Sequence, residues 1–192
     1  CCPLNAAKPG FVGGRQSRHT MCHAPCRRDF RNPRMPDFSQ WPLRPELIEA
    51  IAGQGITEPT PIQQASLADI LAGTDVLAQA KTGSGKTLAF ALGILSGLDA
   101  PSGVQALVLC PTRELADQVS QAIRKVAVRL PNVKVSAFYG GIPVRVHVES
   151  LVHEPAIVVG TPGRILELID TGALKLEALK TLVLDEADRM LD

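Results

Sequence analysis

Apolar residues are arranged in two ways along this chain. Short continuous apolar runs, typical of strands buried on both faces of a sheet, lie at residues 76–80, 106–110, 133–138, 157–159 and 182–184. Stretches with helical spacing lie around and between them, at residues 46–52, 62–71, 86–95, 114–130 and 164–170. The alternation predicts an α/β fold in which a parallel, doubly wound sheet carries helices on both faces. In such sheets the binding groups collect at the carboxyl ends of the strands.

Length and composition exclude several classes of protein. The chain has 192 residues, 45% of them apolar and 20% charged, which suffices for one domain with a substantial core. No apolar run approaches the roughly 18 residues that a membrane span needs, so no membrane partner is expected. A disordered tail and a collagen-like fibre are excluded as well.

The first 34 residues differ from the rest in charge. They carry seven basic residues and one acidic residue, whereas residues 35–192 carry thirteen basic and eighteen acidic ones. This head mixes Pro, Gly, Arg and Cys without a period, and it lacks the apolar segment of a secretory signal. We interpret residues 1–34 as a disordered or non-native leader, with an arm that binds RNA electrostatically as the alternative. The protein is expected to be cytoplasmic.

A glycine-rich segment follows the first predicted strand and opens a predicted helix, which is the context in which such a segment binds phosphate. It consists of Ala80, Lys81, Thr82, Gly83, Ser84, Gly85, Lys86 and Thr87. Glycines let several backbone N–H groups point inward, and the helix N-terminus adds its positive dipole end. Lys86 would reach the outer phosphates, and the Thr87 hydroxyl would bind magnesium. A simple glycine-rich turn is the alternative.

The predicted strand at residues 182–184 ends in two carboxylates. Mg²⁺ prefers oxygen ligands, so Asp185 at the strand tip suits the metal, directly or through water. Glu186 is placed to orient or deprotonate an attacking water. An acidic strand end also occurs as a solvated turn, but that interpretation leaves the loop at Lys86 without its magnesium partner.

The sequence Asp185-Glu186-Ala187-Asp188, together with the loop at Lys86, resembles the DEAD-box RNA helicases. Further motifs of that family's first RecA-like domain occur in order over residues 38–192. The resemblance implies a RecA-like P-loop sheet, ATP and Mg²⁺ as cofactors, and ATP hydrolysis coupled to local unwinding of RNA duplexes. It also implies catalytic roles for Lys86, Asp185 and Glu186 and a coupling role for Asp188.

Residues 55–63, reading Gly-Ile-Thr-Glu-Pro-Thr-Pro-Ile-Gln, resemble the Q motif of the family. The resemblance implies that Gln63 reads the adenine edge, which an amide can do bidentately, and that Phe38 stacks on the ring. Ile56 stands where the family usually has an aromatic residue. The alternative is that Pro59 and Pro61 merely end one helix and start another.

Three further motifs are similar to the RNA-contacting motifs of the family. They are Pro111, Thr112 and Arg113; Gly140 and Gly141; and Thr161, Pro162, Gly163 and Arg164. Hydroxyls, exposed N–H groups and arginines suit sugar and phosphate contacts, so the resemblance implies a sequence-independent grip on a single RNA strand. Taken alone, the first and third of these motifs are also good helix starts, with Thr as the N-cap and, in the third, Pro in the first turn.

The sequence given stops four residues after Asp188. The resemblance implies that the last strands of the first domain and a second RecA-like domain lie beyond it. We therefore expect a sheet that is incomplete at its C-terminal end, with uncovered apolar strand faces, and little ATP hydrolysis by these residues alone. Residues 79–87 and 105–119 look most like the bacterial DbpA group, which suggests a ribosome-assembly context. The alternatives are a P-loop NTPase of another class and a non-catalytic RNA-binding fragment.

Overall fold

A computed structural model describes residues 20–22, 37–99 and 103–191. The strands are β1 Thr20–Cys22, β2 Val76–Ala78, β3 Ala106–Leu109, β4 Val135–Phe138, β5 Ile157–Gly160 and β6 Thr181–Leu184. The helices are α1 Pro45–Ala52, α2 Pro61–Leu71, α3 Lys86–Ser96, α4 Arg113–Ala127, α5 Val144–Leu151, α6 Pro162–Asp170 and α7 Asp188–Leu191, and a 3₁₀ turn covers Phe38–Gln40. Within these described ranges, no helix is long and apolar enough to cross a membrane.

Four of the strands form one parallel sheet in the order β4-β5-β3-β6. Gly160 at the end of β5 is paired with Leu109 on one side and Phe138 on the other, and Leu109 is paired with Leu184 of β6. The carboxyl ends of all four strands are therefore level. The turns that follow them meet at the same edge of the sheet, which is where ligands bind in folds of this type.

Both faces of this sheet are buried. Ala106 and Val108 of β3 pack in one hydrophobic cluster, whereas the intervening Leu107 packs in the other. The first cluster contains helices α1 to α4, and the second is formed with α5 and α6. The continuous apolar runs in the sequence arise because successive side chains of each strand point into opposite cores. The expected α/β fold with helices on both faces is confirmed.

The last strand of the sheet is the exception. Leu182 and Leu184 of β6 are exposed, and β6 is paired with β3 on one side only among the described strands. Leu77 of β2 is exposed too, and β2 is paired with β1 in a separate two-stranded parallel sheet. The uncovered apolar faces expected at the C-terminal end of the sheet are therefore present.

The elements predicted from the sequence are all present, and their ends agree with the observed ones to within about three residues. The observed elements without a counterpart in the prediction are α5, α7, the 3₁₀ turn at Phe38–Gln40 and β1. The segment Val144–Leu151, to which no element was assigned from the sequence, is a helix. Within residues 1–34, Thr20–Cys22 forms β1 beside β2, and the interpretation of these residues as a disordered or non-native leader stays a prediction. The rest of residues 1–34 lies outside the residues that the structure describes. The alternative of an RNA-binding arm there therefore stays a prediction.

Candidate functional site

The loop after β2 turns through two glycines in the left-handed region. Gly83 has φ +80° and Gly85 has φ +93°, conformations that residues with a Cβ atom adopt at an energetic cost. Gly85 is the N-cap of α3, and a Cβ atom there would lie 2.5 Å from Nε2 of Gln63. The loop is thus packed against the start of α2, and it leads directly into a helix N-terminus, which favours a bound anion.

The Lys86 side chain bends back onto this loop. Its Nζ donates to the carbonyl oxygen of Ala80 and, at 3.2 Å, to that of Lys81. The Ser84 hydroxyl is buried and has no hydrogen-bond partner within the described part of the chain. A buried hydroxyl without a partner is costly, so the loop contains unused donor capacity that an anion would satisfy.

Asp185 immediately follows β6, and its side chain is buried, with the residue 8% exposed. Its backbone N–H donates to the Leu109 carbonyl at 3.0 Å, which fixes the turn against β3. Burial, and then the charge of Glu186, raise the pKa of Asp185, while the nearby Lys86 ammonium partly lowers it. The fold therefore brings Lys86 and Asp185, which are distant in the sequence, into electrostatic range.

Replacing Asp185 with asparagine should raise the melting temperature at pH 7.5 by about 2–4 °C. Because the pKa of Asp185 is raised in the folded state, the ionised carboxylate destabilises the fold above that pKa, and the neutral amide avoids this cost. The gain should shrink as the pH falls through the raised pKa of Asp185, because the wild-type carboxyl then becomes neutral as well. Circular dichroism melts across this pH range test it, with Asp188→Asn, an exposed carboxylate, as the control. A D185N protein that melts at or below the wild-type temperature at pH 7.5 contradicts it.

Glu186 has a left-handed backbone conformation, with φ +50°. Such a conformation costs a non-glycine residue on the order of 1–3 kcal/mol and tends to occur at functional sites. Its carboxylate is paired with Arg189, whose Nη1 donates to Oε2 at 2.8 Å. Asp188, the residue to which a coupling role was assigned, is exposed at the start of α7. The turn therefore presents Glu186 with its carboxylate held by a neighbouring guanidinium.

Cys110 follows β3 and is buried near the same carboxylates. Burial, and then the charges of Asp185 and Glu186, raise the pKa of the Cys110 thiol to about 12. A thiol with such a pKa stays protonated at neutral pH and is not a nucleophile. Cys110 therefore supplies no nucleophile at this end of the sheet.

Gln63 and Phe38, the predicted adenine-contacting residues, are both buried. The Gln63 oxygen accepts from the Thr60 N–H at 2.9 Å, and its nitrogen donates to the Gly85 carbonyl at 3.0 Å. Gln63 thus joins the start of α2 to the glycine-rich loop. The Phe38 ring packs in the main hydrophobic cluster, 6.0 Å from the ring of Trp41. Adenine recognition by these two side chains stays a prediction.

Three turns at the carboxyl ends of β3, β4 and β5 contain the predicted RNA-contacting residues. In the sheet order, the turn after β5 lies between the turns after β4 and β3, and Asp185 follows on β6. The turns at residues 111–113, 140–141 and 161–164 therefore line one continuous edge. The glycine-rich loop follows β2 of the separate two-stranded sheet, and the electrostatic interaction of Lys86 with Asp185 indicates that this loop lies near the β6 end of that edge.

The turn after β3 begins helix α4. Thr112 is the N-cap, and its hydroxyl accepts from the Leu115 N–H at 3.2 Å. Arg113 is exposed and pairs with Glu114 at 2.7 Å. A Cβ atom on Gly141, which has φ +91°, would lie 3.4 Å from Nη1 of Arg113. The Arg113 guanidinium is therefore close to the glycine pair that follows β4.

The turn after β5 begins helix α6. The Thr161 N–H donates to the Phe138 carbonyl at 3.1 Å, and Pro162 occupies the first turn of the helix. Gly163 is exposed, and a Cβ atom there would meet no other atom within 4 Å. Arg164 is largely buried and forms an ion pair with Glu167 at 3.3 Å. This turn thus presents open backbone at Gly163 and a restrained arginine beside it.

The oxygen donors near the loop fit a divalent cation held jointly with phosphate. Among the residues described, no group of three or more His, Cys, Asp or Glu side chains could bind a metal ion. Mg²⁺ in nucleotide sites uses one or two carboxylates together with phosphates and water. A buried Asp185 carboxylate and the Thr87 hydroxyl near the start of α3 are of that kind.

Sequence reasoning did not find two polar residues next to the site. Arg189 pairs with Glu186, and His147 of α5 contacts Arg164. The spacing of Glu186 and Arg189, three residues apart at a helix start, could have indicated their pair. No local signal links His147 to Arg164, because their contact depends on how α5 and α6 pack.

The fold and the glycine-rich loop define a P-loop α/β domain. A family model described as DEAD/DEAH box helicase matches residues 60–192, and the chain belongs to this family.

Individual relatives agree. The chain is 53% identical over 151 residues to the ATP-dependent RNA helicase DbpA of Escherichia coli, covering 78% of this chain and 33% of that protein. It is 45% identical over 159 residues to the ATP-dependent RNA helicase CshA of Listeria monocytogenes, covering 82% of this chain and 30% of that protein. A crystal structure of a DEAD box protein from the hyperthermophile Methanococcus jannaschii matches with a TM-score of 0.77 and 39% identity, over 81% of this chain and 42% of that one. The chain spans about a third of the length of these curated relatives.

Proposed function

We propose that this chain is the ATP- and RNA-binding lobe of an ATP-dependent RNA helicase. The whole protein would hydrolyse ATP and separate short RNA duplexes. The observation that supports this most directly is that Asp185, at the same sheet edge as the three turns after β3, β4 and β5, lies in electrostatic range of Lys86 in the glycine-rich loop. A site of this shape can bind a nucleotide and an RNA strand side by side.

The nucleotide part of the proposal rests on the loop and its neighbours. Backbone N–H groups between Ala80 and Gly85 would bind phosphate oxygens, together with the Ser84 hydroxyl that has no partner within the described chain. Lys86 would leave the Ala80 and Lys81 carbonyls and donate to the outer phosphates. Gln63 and Phe38 would contact the adenine, which requires that their buried side chains become accessible.

The hydrolytic part rests on the turn after β6. Asp185 and Thr87 would hold Mg²⁺, and the ion, when bound, would offset negative charge on the phosphates. Glu186 would orient or deprotonate the attacking water once its carboxylate is released from Arg189. Asp188, exposed beside this turn, would couple the nucleotide site to the RNA site.

The RNA part rests on backbone and hydroxyl groups at the three turns. Thr112, Thr161 and the open Gly163 offer hydroxyl and N–H donors, and Arg113 and Arg164 offer charge. None of these groups forms a base-reading pattern, so contact with the sugar-phosphate backbone is expected, without sequence specificity. A ribosome-assembly context and a cytoplasmic location remain part of the proposal.

Binding assays on the 192-residue chain test this function. With a fluorescein-labelled 20-nucleotide oligouridine, we expect tighter binding than to the matching single-stranded DNA, and at least about tenfold preference for ATP over GTP in competition. RNA and a non-hydrolysable ATP analogue should increase each other's affinity, since coupling between sites is reciprocal. Nucleotide binding without RNA binding would contradict the proposed RNA role of the three turns. An RNA affinity that is the same with and without nucleotide would indicate a non-catalytic RNA-binding fragment.

A further inference from the structure

Two side chains from neighbouring crossover helices meet beside the proposed RNA edge. Nη1 of Arg164, in the first turn of α6, lies 3.2 Å from Nδ1 of His147 on α5. The same guanidinium is paired through Nε with Glu167 at 3.3 Å, and the Arg164 side chain is only 10% exposed. Nη1 and Nε are thus engaged within the described part of the chain, and the guanidinium carries further N–H donors for another partner. Arg164 is held in one orientation from two sides.

The contact determines how the His147 ring is protonated. A guanidinium only donates hydrogen bonds, so Nδ1 must accept and the proton of the neutral ring must lie on Nε2. His147 is 4% exposed, and its Nε2 has no hydrogen-bond partner in the described part of the chain. Its ring packs edge-on against Phe138 of β4, with centroids 5.1 Å apart. The surroundings therefore satisfy this histidine at one nitrogen only.

A leucine would fill such an apolar position without leaving a buried N–H unpaired. The unpaired Nε2 of His147 lowers the stability of the fold, whereas its Nδ1 supplies a hydrogen-bond acceptor for Arg164. Features that cost stability in this way are expected where a side chain serves binding.

We propose that the neutral His147 imidazole is a positioning residue, which holds the Arg164 guanidinium in the orientation that contacts the RNA backbone. The inference rests on the proposed function, since it takes RNA as the ligand of Arg164. It adds a residue of α5 that has no RNA contact of its own. Protonation of His147 turns Nδ1 into a donor and adds a positive charge beside the guanidinium, so it would release Arg164.

The charges around His147 support a neutral ring at physiological pH. Burial, and then the Arg164 charge, lower the pKa of His147, and Glu167 opposes them in part. Arg145 and Glu149, the other charged groups of α5, are exposed and paired with each other at 3.0 Å. The Phe138 ring that contacts the imidazole from β4 is uncharged.

Substitutions at His147 separate positioning from packing. In His147→Asn the side-chain oxygen occupies the place of Nδ1 and keeps an acceptor, whereas His147→Leu keeps bulk and removes it. On the 192-residue chain with the labelled oligouridine, H147L is expected to weaken binding roughly three- to tenfold, the effect of an arginine that must be ordered on binding. H147N should stay within about twofold of wild type. Equal affinities for H147L and wild type, with both folded by circular dichroism, overturn the inference.

A double-mutant cycle assigns the effect to Arg164. Arg164→Gln should weaken binding and reduce the slope of log affinity against log salt by about 0.7, the value for one phosphate contact on a single strand. Adding H147L to R164Q should then have no further effect, because there is no guanidinium left to position. If the two substitutions reduce affinity independently, His147 acts by another route and the inference fails.

A pH series gives a readout that packing alone would not move. The ratio of wild-type to H147N affinity should be constant near pH 7.5 and fall only as the pH drops below the ordinary pKa of histidine, since only the wild-type chain can lose its acceptor by protonation and burial lowers the pKa of His147. A ratio that rises on acidification, or that already falls near pH 7.5, contradicts the inference. These measurements also separate the two proposals. If the wild-type chain does not bind RNA, the proposed function is refuted. If R164Q weakens RNA binding and H147L does not, only the role of His147 is refuted.

Discussion

Replacing Lys86 with alanine is expected to weaken ATP binding by about a hundredfold or more, because the substitution removes the charge that, in the proposed site, would bind the outer phosphates. The Lys86 ammonium now donates to carbonyls of its own loop and acts electrostatically on Asp185. These contacts place it at the centre of the proposed phosphate site. Titration of a fluorescent ATP analogue with Mg²⁺ measures the effect.

Two controls accompany this variant. Lys81→Ala removes an exposed side chain from the same loop but keeps its backbone N–H group, so ATP affinity should change less than about threefold. The affinity of K86A for the labelled oligouridine without nucleotide should equal that of wild type, since Lys86 lies outside the turns after β3, β4 and β5 that are proposed to contact RNA. Should K86A retain wild-type ATP affinity, the loop is not the phosphate site.

Gly85→Ala is expected to lower stability by about 3 kcal/mol, or roughly 6–12 °C in melting temperature for a chain of this size. The new Cβ atom would adopt a left-handed conformation at φ +93° and lie 2.5 Å from Gln63 Nε2 and 3.0 Å from Thr60 Oγ1. Gln63 is 1% exposed and bonds to both Thr60 and Gly85, so it cannot move without losing those hydrogen bonds. Thermal melts followed by circular dichroism measure the loss.

Gly83→Ala is the matched variant for this experiment. Gly83 has φ +80°, but a Cβ atom there would meet no other atom within 4 Å. Only the backbone cost of about 1 kcal/mol remains, which corresponds to about 2–4 °C. Equal melting temperatures for G83A and G85A would show that the contact between Gln63 and the loop does not constrain the fold.

The sheet could be predicted because each strand has a recognisable local pattern, a short continuous run of apolar residues. Ile157, Val158 and Val159 are apolar in succession since their side chains enter two different cores, and the run is short because the strand is short. Helix starts were equally visible at Thr112 and Pro162. In these places the residue type and the conformation that it favours agree.

Helix α5 could not be predicted in the same way. Val144, Val146 and Val148 alternate with polar residues, which is typical of a strand. The segment is nonetheless a helix, and it leaves Val146 and Val148 exposed. The connection from β4 to the parallel strand β5 must cross one face of the sheet, and a helix after Pro143 makes that crossing. Topology here overrides the local pattern, and His147 was missed with the helix.

The sequence alone determined the α/β class, the glycine-rich loop before a helix and the acidic strand end, because these depend on residue types in a fixed order over a few positions. Tertiary structure decided the strand order β4-β5-β3-β6, the burial of Gln63 against Gly85, and the contact between His147 and Arg164. Such contacts join residues far apart in the chain, and their energies depend on how whole elements pack. No local pattern of residues specifies that packing.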